Sequence, residues 1–108
     1  MIKIHYGALR EDDKGKHRVP DELLKKAQGM FGGNARKEVV RILDGHIRLQ
    51  AMDIAQRKLN PQTLYDAGVT GVLDAIKSYN VGHEDHAFKV YATPFIRQAM
   101  QAARAKMS

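Results

Sequence analysis

"NPQTLYDAGVTGVLDAIKSY", residues 60–79, is the stretch that decides the fold. Asn60 is a residue type that commonly caps a helix, and Pro61 is favoured at the first helical position. Apolar residues then recur at three- and four-residue steps, at Leu64, Tyr65, Val69, Val72, Leu73 and Ile76. This period predicts an amphipathic helix. Gly68 and Gly71 share one face of that helix, where they predict the close approach of a second helix.

Helical patterns flank this stretch on both sides. Residues 35–59, "ARKEVVRILDGHIRLQAMDIAQRKL", place most apolar residues at helical spacing and predict the longest helix. Gly45 in its middle predicts either a kink or a close helix contact. Residues 88–105 predict the last helix, with Pro94 in its first turn or so. A purely local interpretation caps that helix at Thr93 instead.

The first 34 residues form an N-terminal arm in this interpretation. "VPDELLKKAQG", residues 19–29, predicts a short helix with Asp21 as its N-cap and a glycine as its stop. The three glycines of "GMFGGN", residues 29–34, predict a hinge. We therefore expect an arm over 1–34 and a helical domain over 35–108. The expected fold is all-α, a compact bundle of three main helices plus the short N-terminal helix.

The amino-acid composition excludes some kinds of site and favours one kind of partner. The chain has 108 residues, a net charge of +6 and no cysteine, which excludes disulfides and thiolate metal sites. No stretch approaches the ~20 apolar residues of a membrane span, so we expect no membrane partner and a cytoplasmic protein. The positive charge favours an anionic partner, nucleic acid first. Residues 86–108 carry four cations and no acid, the cations being Lys89, Arg97, Arg104 and Lys106.

Catalytic and metal motifs are weak. "HEDH", residues 83–86, is not the HExxH zinc motif, because Ala87 stands where the second histidine would be. His83 and His86 with the two acids make a divalent-ion site one hypothesis, but a solvated polar loop is the commoner arrangement. The sequence has no phosphate loop, dinucleotide fingerprint or nucleophile elbow. We predict no enzyme, no metal and no cofactor.

Three blocks of the sequence occur in a familiar order. "HIRLQAMDIA" (46–55) is similar to "NLRLVxxIA", "TLYDAGVTGVLDAIKSYN" (63–80) to "DLxQxGxxGLxxAxxxFD", and "FKVYATPFIRQAM" (88–100) to "FxTYAxxxIRxAI". The segment over 42–100 therefore resembles the second conserved region of bacterial sigma factors. That region binds RNA polymerase and opens the promoter at its −10 element. Pro94 and Phe95 stand where primary sigma factors have two tryptophans, so the chain is more similar to alternative sigma factors of stress, sporulation and motility type.

The resemblance implies a DNA-binding surface on the last helix. Aromatic faces hold bases that leave the stack, and glutamine pairs with adenine while arginine holds phosphate or guanine. Arg104 would attract phosphate without sequence preference. The implied contacts to single-stranded −10 promoter DNA are Tyr91, Phe95, Arg97, Gln98, Gln101 and Arg104. Packing in the core remains an alternative for the aromatics, and simple solvation for the glutamines.

The second block is the part of the family that contacts a coiled coil on the largest subunit of the polymerase core. The implied contacts are Thr63, Leu64, Asp66, Ala67 and Val69. In the family, an Asp and a Gln usually occupy the positions of Thr63 and Asp66. The helix frame is thus kept while the polar residues of the family pattern are changed, which favours either weaker binding of the polymerase core or a divergent partner.

Three functions remain open at this point. The first is a transcription-initiation protein with sigma region 2 only, since the sequence stops near Ser108 and starts at a methionine. It would need help from a second sigma-like subunit or an activator. The second is a decoy that binds polymerase or a regulator such as an anti-sigma factor and opens no promoter. The third is a basic helical nucleic-acid-binding domain without polymerase. Exposed apolar surface makes self-association a further expectation.

Overall fold

The computed structural model describes residues 18–83 and 87–107, and within them the chain is helical and has no strand. The helices are α1 (Asp21–Ala27), α2 (Gly33–Ile42), α3 (Asp44–Ala55), α4 (Pro61–Ser78) and α5 (Phe88–Met107). The all-α prediction is confirmed. The N-cap predicted for α4 is also confirmed, because the Asn60 side chain accepts a hydrogen bond of 2.9 Å from the backbone N–H of Gln62.

The single helix predicted over 35–59 is wrong, because the chain turns at Leu43 and forms two helices. Leu43 has φ −89° and ψ 2°, in the sparsely allowed region between helix and strand. Its side chain is fully buried, and so are those of Val39 and Ile47 on either side. The turn therefore directs both helices into one core. Gly45, where either a kink or a close helix contact was expected, is the second residue of α3.

The described part of the N-terminal arm packs against the bundle. Leu24 and Ala27 of α1 are buried. The Gln28 amide donates hydrogen bonds of 2.9 Å and 2.6 Å to the backbone carbonyls of Ile76 and Tyr79, at the end of α4. Pro20, not Asp21, occupies the N-cap position of α1, and no side chain caps it. The division of the chain at residue 34 stays a prediction, and residues 1–17 lie outside the described part.

Helix α5 begins at Phe88, so Pro94 is its seventh residue rather than part of its first turn. A proline at this depth removes the hydrogen bond that its N–H would give to the carbonyl of Val90. Pro94 itself is exposed, while Phe88, Ala92 and Ile96 on the opposite side are buried. Burial of this apolar side before and after Pro94 stabilises the helix although one backbone hydrogen bond is missing. The local interpretation with a cap at Thr93 is wrong for the same reason.

The core contains fully buried aliphatic side chains from every helix, among them Leu24, Val39, Ile47, Leu64, Ile76, Ile96 and Met100. None of the helices in the described ranges is both long and apolar enough to cross a membrane.

Candidate nucleic-acid interface

The two glycines of α4 fix the position of α5. A Cβ built at Gly71 would lie 2.5 Å from the Phe95 carbonyl oxygen and 2.8 Å from the Ile96 Cα. A Cβ at Gly68 would overlap the end of the Met100 side chain. The close helix approach predicted from these glycines is confirmed. The backbone of α5 therefore lies directly on α4, and the opposite side of α5 faces outward.

A row of aromatic rings runs from the end of α4 onto α5. The ring centroids of Tyr79 and Tyr91 are 5.0 Å apart at 67°, and those of Tyr91 and Phe95 are 5.2 Å apart at 34°. Phe88 packs edge-on against Tyr79 at 5.2 Å. Phe88 and Tyr79 are buried, whereas Tyr91 and Phe95 are only partly buried. The row thus has an inner half that belongs to the core and an outer half that reaches the surface.

The predicted amide contacts lie beside the outer half of this row. Tyr91, Phe95 and Gln98 are spaced i, i+4 and i+7, so they follow one stripe along α5. Gln98 and Gln101 are both exposed. The Tyr91 hydroxyl is 2.9 Å from the Ser78 hydroxyl, which fixes the ring from the side of α4. One surface therefore combines two partly buried rings with exposed amides.

Arg97 is engaged within the protein. Its guanidinium donates hydrogen bonds of 2.5 Å to the Gln50 Oε1 and 3.1 Å to the Asp53 Oδ2, both on α3. The Arg97 side chain remains 37% exposed and that of Asp53 68% exposed. The arginine thus ties α5 to α3, and Asp53 offsets its charge. A phosphate contact would compete with this ion pair, while Arg104 is partly buried and its phosphate role stays a prediction.

A cavity of about 300 Å³ lies between α3 and α5, beside Pro94. Leu49, Val90 and Pro94 line it with apolar surface, and His46 and Thr93 with polar surface. The sequence interpretation missed this feature. The available signals were a proline that breaks the hydrogen-bonding of α5 and a histidine within the apolar pattern of α3.

The polar side of the cavity has a defined hydrogen-bond direction. The Thr93 hydroxyl donates to the carbonyl of Lys89 at 2.8 Å, and its oxygen lies 2.9 Å from the His46 Nε2. Because the Thr93 hydrogen is used, the His46 Nε2 must be the donor to that oxygen. His46 and Lys89 are both buried polar residues. The cavity therefore has a fixed polar floor and apolar walls.

The residues predicted to contact polymerase divide into two groups. Thr63 and Asp66 are exposed on the N-terminal half of α4, and Ala67 and Val69 are partly buried. Leu64 is fully buried in the core, so a surface contact through its side chain is wrong in this structure. The Gln62 amide donates a 2.9 Å hydrogen bond to Asp66 Oδ1, which adds to this surface a polar residue that the sequence interpretation missed.

A polar cluster links α3 to the same half of α4. The Tyr65 hydroxyl donates a 2.6 Å hydrogen bond to Asp44, and Arg48 lies 2.9 Å from the same carboxylate. The Tyr65 hydroxyl holds the pKa of Asp44 below its usual value, and Arg48 adds to this effect. Burial, together with the bond to Asp44, raises the pKa of Tyr65 to about 12. Tyr65 is thus a neutral donor, and Asp44 an ionised acceptor, over the whole physiological pH range.

Residues 18–83 and 87–107 contain no group of three or more histidine, aspartate and glutamate side chains that could hold a metal ion. Of the "HEDH" motif only His83 falls in these ranges, so the metal hypothesis on residues 84–86 lies outside the described residues.

Comparison of the chain with protein-family models, curated protein sequences and solved structures gives no match.

Proposed function

We propose that this chain is a sigma-factor-like transcription-initiation protein. It binds the core of RNA polymerase through α4 and holds unpaired −10-type promoter DNA on α5. The observation that carries the proposal is the stripe formed by the partly buried rings of Tyr91 and Phe95 and the exposed Gln98. The C-terminal segment that contains it has no acid, and its Lys106 is exposed. Such a surface suits a partner that is both anionic and aromatic, which an unpaired nucleic-acid strand is.

Each part of this surface has a physical role in strand capture. Ring faces stack on bases of any sequence and contribute ~1–3 kcal/mol per base. An amide beside them distinguishes bases, because glutamine bonds adenine through two hydrogen bonds. The cavity beside Pro94 supports the proposal further. Its volume of about 300 Å³ leaves room for a flat base against the apolar surface of Leu49, Val90 and Pro94.

The polymerase contact of the proposal rests on the exposed polar side of α4. Thr63, Asp66 and Gln62 lie there on a helix whose other side is locked into the core. A rigid helix bearing a polar strip suits docking against another helix or coiled coil. Because Asp66 is already bonded by Gln62, the pair presents a defined donor and acceptor pattern.

A second candidate is a polymerase- or regulator-binding protein that opens no promoter. The ion pair of Arg97 with Asp53 favours it, because one of the cations of α5 is partly neutralised. This candidate predicts polymerase binding without affinity for single-stranded DNA at physiological salt.

The test combines two measurements on the purified full chain. In the first, the chain is used to capture core RNA polymerase of its host. In the second, a fluorescein-labelled single-stranded −10 oligonucleotide and its duplex are titrated with the free chain by anisotropy. We expect capture of polymerase and tighter binding of the single strand than of the duplex. Gln98→Ala should weaken single-strand binding by about 5- to 150-fold, the equivalent of one base contact.

Gln62→Ala on α4 is the matched control, since it removes an exposed glutamine away from the stripe and should leave DNA affinity unchanged. If Gln98→Ala and Tyr91→Ala both bind the single strand as the wild type does, the proposed mechanism is lost. Polymerase capture with no DNA affinity would establish the second candidate. A steep salt dependence, no sequence preference and no polymerase capture would instead indicate a nonspecific nucleic-acid-binding domain.

A further inference from the structure

The connection between α1 and α2 carries the most exposed large apolar side chains of the described residues. Met30 is 88% exposed and Phe31 is 95% exposed. We refer to residues 29–32 as the Met30–Phe31 loop. Scattered single apolar residues are normal at a protein surface, but two large neighbours at this exposure are uncommon and mark interaction sites.

The backbone of the loop is held in place. The N–H of Gly29 bonds the carbonyl of Lys26 and that of Gly32 bonds the carbonyl of Gly29, both at 3.1 Å. The Arg36 guanidinium donates to the carbonyls of Ala27 and Gly29 at 2.8 Å and 3.1 Å. A Cβ at Gly32 would overlap the Lys26 carbonyl, so only glycine permits this path. The two apolar side chains are therefore presented by a fixed loop.

The base of the loop is fixed to the far end of α4. Gln28, just before the loop, bonds the carbonyls of Ile76 and Tyr79. Thr63 and Asp66 lie near the opposite end of that helix. At 1.5 Å per residue, Thr63 and Ile76 are about 20 Å apart along the helix axis. The Met30–Phe31 loop is thus spatially separate from the polymerase contact proposed on α4.

The charges around the loop define its partner. Lys25 and Lys26 are exposed and line the surface depression beside Met30 and Phe31. The acids of α1, Asp21 and Glu22, lie in its first turn at the other end of the helix. A basic rim around an apolar centre suits an acidic surface with an apolar pocket. It does not suit a second copy of this chain, because each copy carries a net charge of +6.

The chemistry of the loop favours protein over nucleic acid or lipid. A phosphate would be bound by Lys25 and Lys26 alone and would leave Met30 and Phe31 exposed, because these two side chains supply neither a cation nor a hydrogen-bond donor. A bilayer accepts apolar side chains in many orientations and gains little from a fixed backbone. A shaped protein pocket gains affinity from that fixation, because less conformational freedom is lost on binding. Aromatic residues and methionine are also enriched in the buried centres of protein interfaces.

We infer that the Met30–Phe31 loop is a second anchor on the polymerase core: it inserts Phe31 and Met30 into an apolar pocket rimmed by acidic side chains. This inference rests on the proposed function, since it takes polymerase as the partner. Two contacts on one rigid chain raise each other's effective concentration, so the loop offsets the altered polar signature of α4.

The experiment measures binding of the full chain to immobilised host core polymerase by biolayer interferometry, at two salt concentrations. The double variant Met30→Ser/Phe31→Ser should bind at least about tenfold more weakly, as expected for loss of an interface anchor. Phe31→Leu should reduce the polymerase affinity less than the double variant does. Lys26→Glu should weaken binding more at low salt than at high salt. Lys106→Glu, the same charge change on α5, is the matched control and should leave polymerase affinity unchanged.

Met30 and Phe31 are both exposed, so the double variant should keep the melting temperature and the DNA affinity of the wild-type chain. Wild-type polymerase affinity in the double variant would overturn the inference and leave the proposed function intact. Failure of the wild-type chain to bind polymerase would overturn both. Cosedimentation with phosphatidylglycerol vesicles that the double variant loses, at unchanged polymerase affinity, would assign the loop to lipid and also overturn the inference.

Discussion

The interface of α5 with α4 and the interface of α5 with α3 hold the same helix by different means. Against α4 the backbones are in contact at Gly71, and the surrounding side chains are apolar and fully buried. Against α3 the contacts are polar, through Arg97 to Gln50 and Asp53 and through Thr93 to His46. Helix α3 is joined to α4 by a further polar contact, from Tyr65 to Asp44.

The α4 interface therefore concerns mainly the stability of the fold, and the α3 interface can take part in binding. At Gly71 the α4 interface leaves no room for one added methyl group, so it determines where α5 lies. The α3 interface contains the cavity beside Pro94 and charged groups that reach solvent, so it can respond to a ligand and to salt.

Tyr91 packs against Tyr79, and its hydroxyl lies 2.9 Å from the Ser78 hydroxyl. The stripe of Tyr91, Phe95 and Gln98 therefore borders the α4 interface and depends on it to be presented at all.

The largest effect is expected at the α4 interface. Gly71→Ala places a methyl group against the Phe95 carbonyl and the Ile96 Cα, so the two helices must move apart. We expect a loss of about 1–3 kcal/mol in the free energy of unfolding, measured by urea denaturation. Gly33→Ala is the control, because its Cβ would find its nearest neighbour, the Arg36 side chain, at 3.9 Å. That control should be neutral or stabilising by up to about 1 kcal/mol. Equal losses in the two variants would contradict the close contact.

A smaller effect is expected at the α3 interface. Arg97→Met keeps an apolar stem and removes both polar links to α3, which should cost about 1 kcal/mol or less because the pair is partly exposed. A double-mutant cycle with Asp53→Asn isolates the ion pair. The same variant sharpens the DNA proposal. If Arg97 contacts only α3, Arg97→Met should leave the salt dependence of DNA binding unchanged. If Arg97 contacts a phosphate, the variant should reduce the slope of log affinity against log salt concentration by about one.

Much of the fold could be predicted from the sequence, because the features concerned depend on residues that are close together in the chain. The start of α4 at Asn60 and Pro61 and the packing role of Gly71 follow from backbone chemistry that the neighbouring residues already contain. The turn at Leu43 does not follow from such local chemistry, because residues 35–59 have helical spacing throughout. Leu43 is fully buried at the turn, and this burial depends on tertiary contacts that the spacing does not indicate.

The candidate site was predictable in outline only. The spacing of Tyr91, Phe95 and Gln98 defines a common stripe, and the structure leaves that stripe accessible. The engagement of Arg97 by Asp53 joins residues 44 positions apart, and no local pattern indicates it. Burial of Leu64 was visible in the apolar period of α4, although the family pattern led to its assignment as a contact. The cavity beside Pro94 needed the relative placement of α3 and α5.

The polar contacts of α3 with α4 should contribute to the pH dependence of stability, beside the Glu38–Arg41 pair of α2, in which Arg41 lowers the pKa of Glu38. The pKa of Asp44 is lowered in the folded protein, so its contribution is present above the ordinary carboxyl value of about 4 and is lost as the pH falls below it. The pKa of Tyr65 is raised to about 12, so its contribution is complete below the ordinary tyrosine value of about 10 and is lost as the pH rises toward 12. Asp44→Asn should flatten the acid side of a stability–pH curve. Gly71→Ala should lower the whole curve without changing its shape, and a changed shape there would contradict the assignment.

The smallest effect is expected for Tyr91→Phe, which removes the hydrogen bond to Ser78 and keeps the ring. The free energy of unfolding should fall by about 1 kcal/mol or less, because the bond is exposed. Affinity for single-stranded DNA should be unchanged if the ring face, and not the hydroxyl, holds the base. A loss of DNA affinity equal to that of Tyr91→Ala would show that the hydroxyl is the contact.

The most direct test of the central claim is the fluorescence of 2-aminopurine placed at successive positions of a single-stranded −10 oligonucleotide, titrated with the full chain. Stacking of one base on the Tyr91 and Phe95 rings predicts quenching at one or two adjacent positions, lost in Tyr91→Ala and retained in Tyr91→Phe. Binding that quenches no position, or quenching that survives Tyr91→Ala undiminished, would contradict the assignment of α5 as the surface that holds unpaired bases.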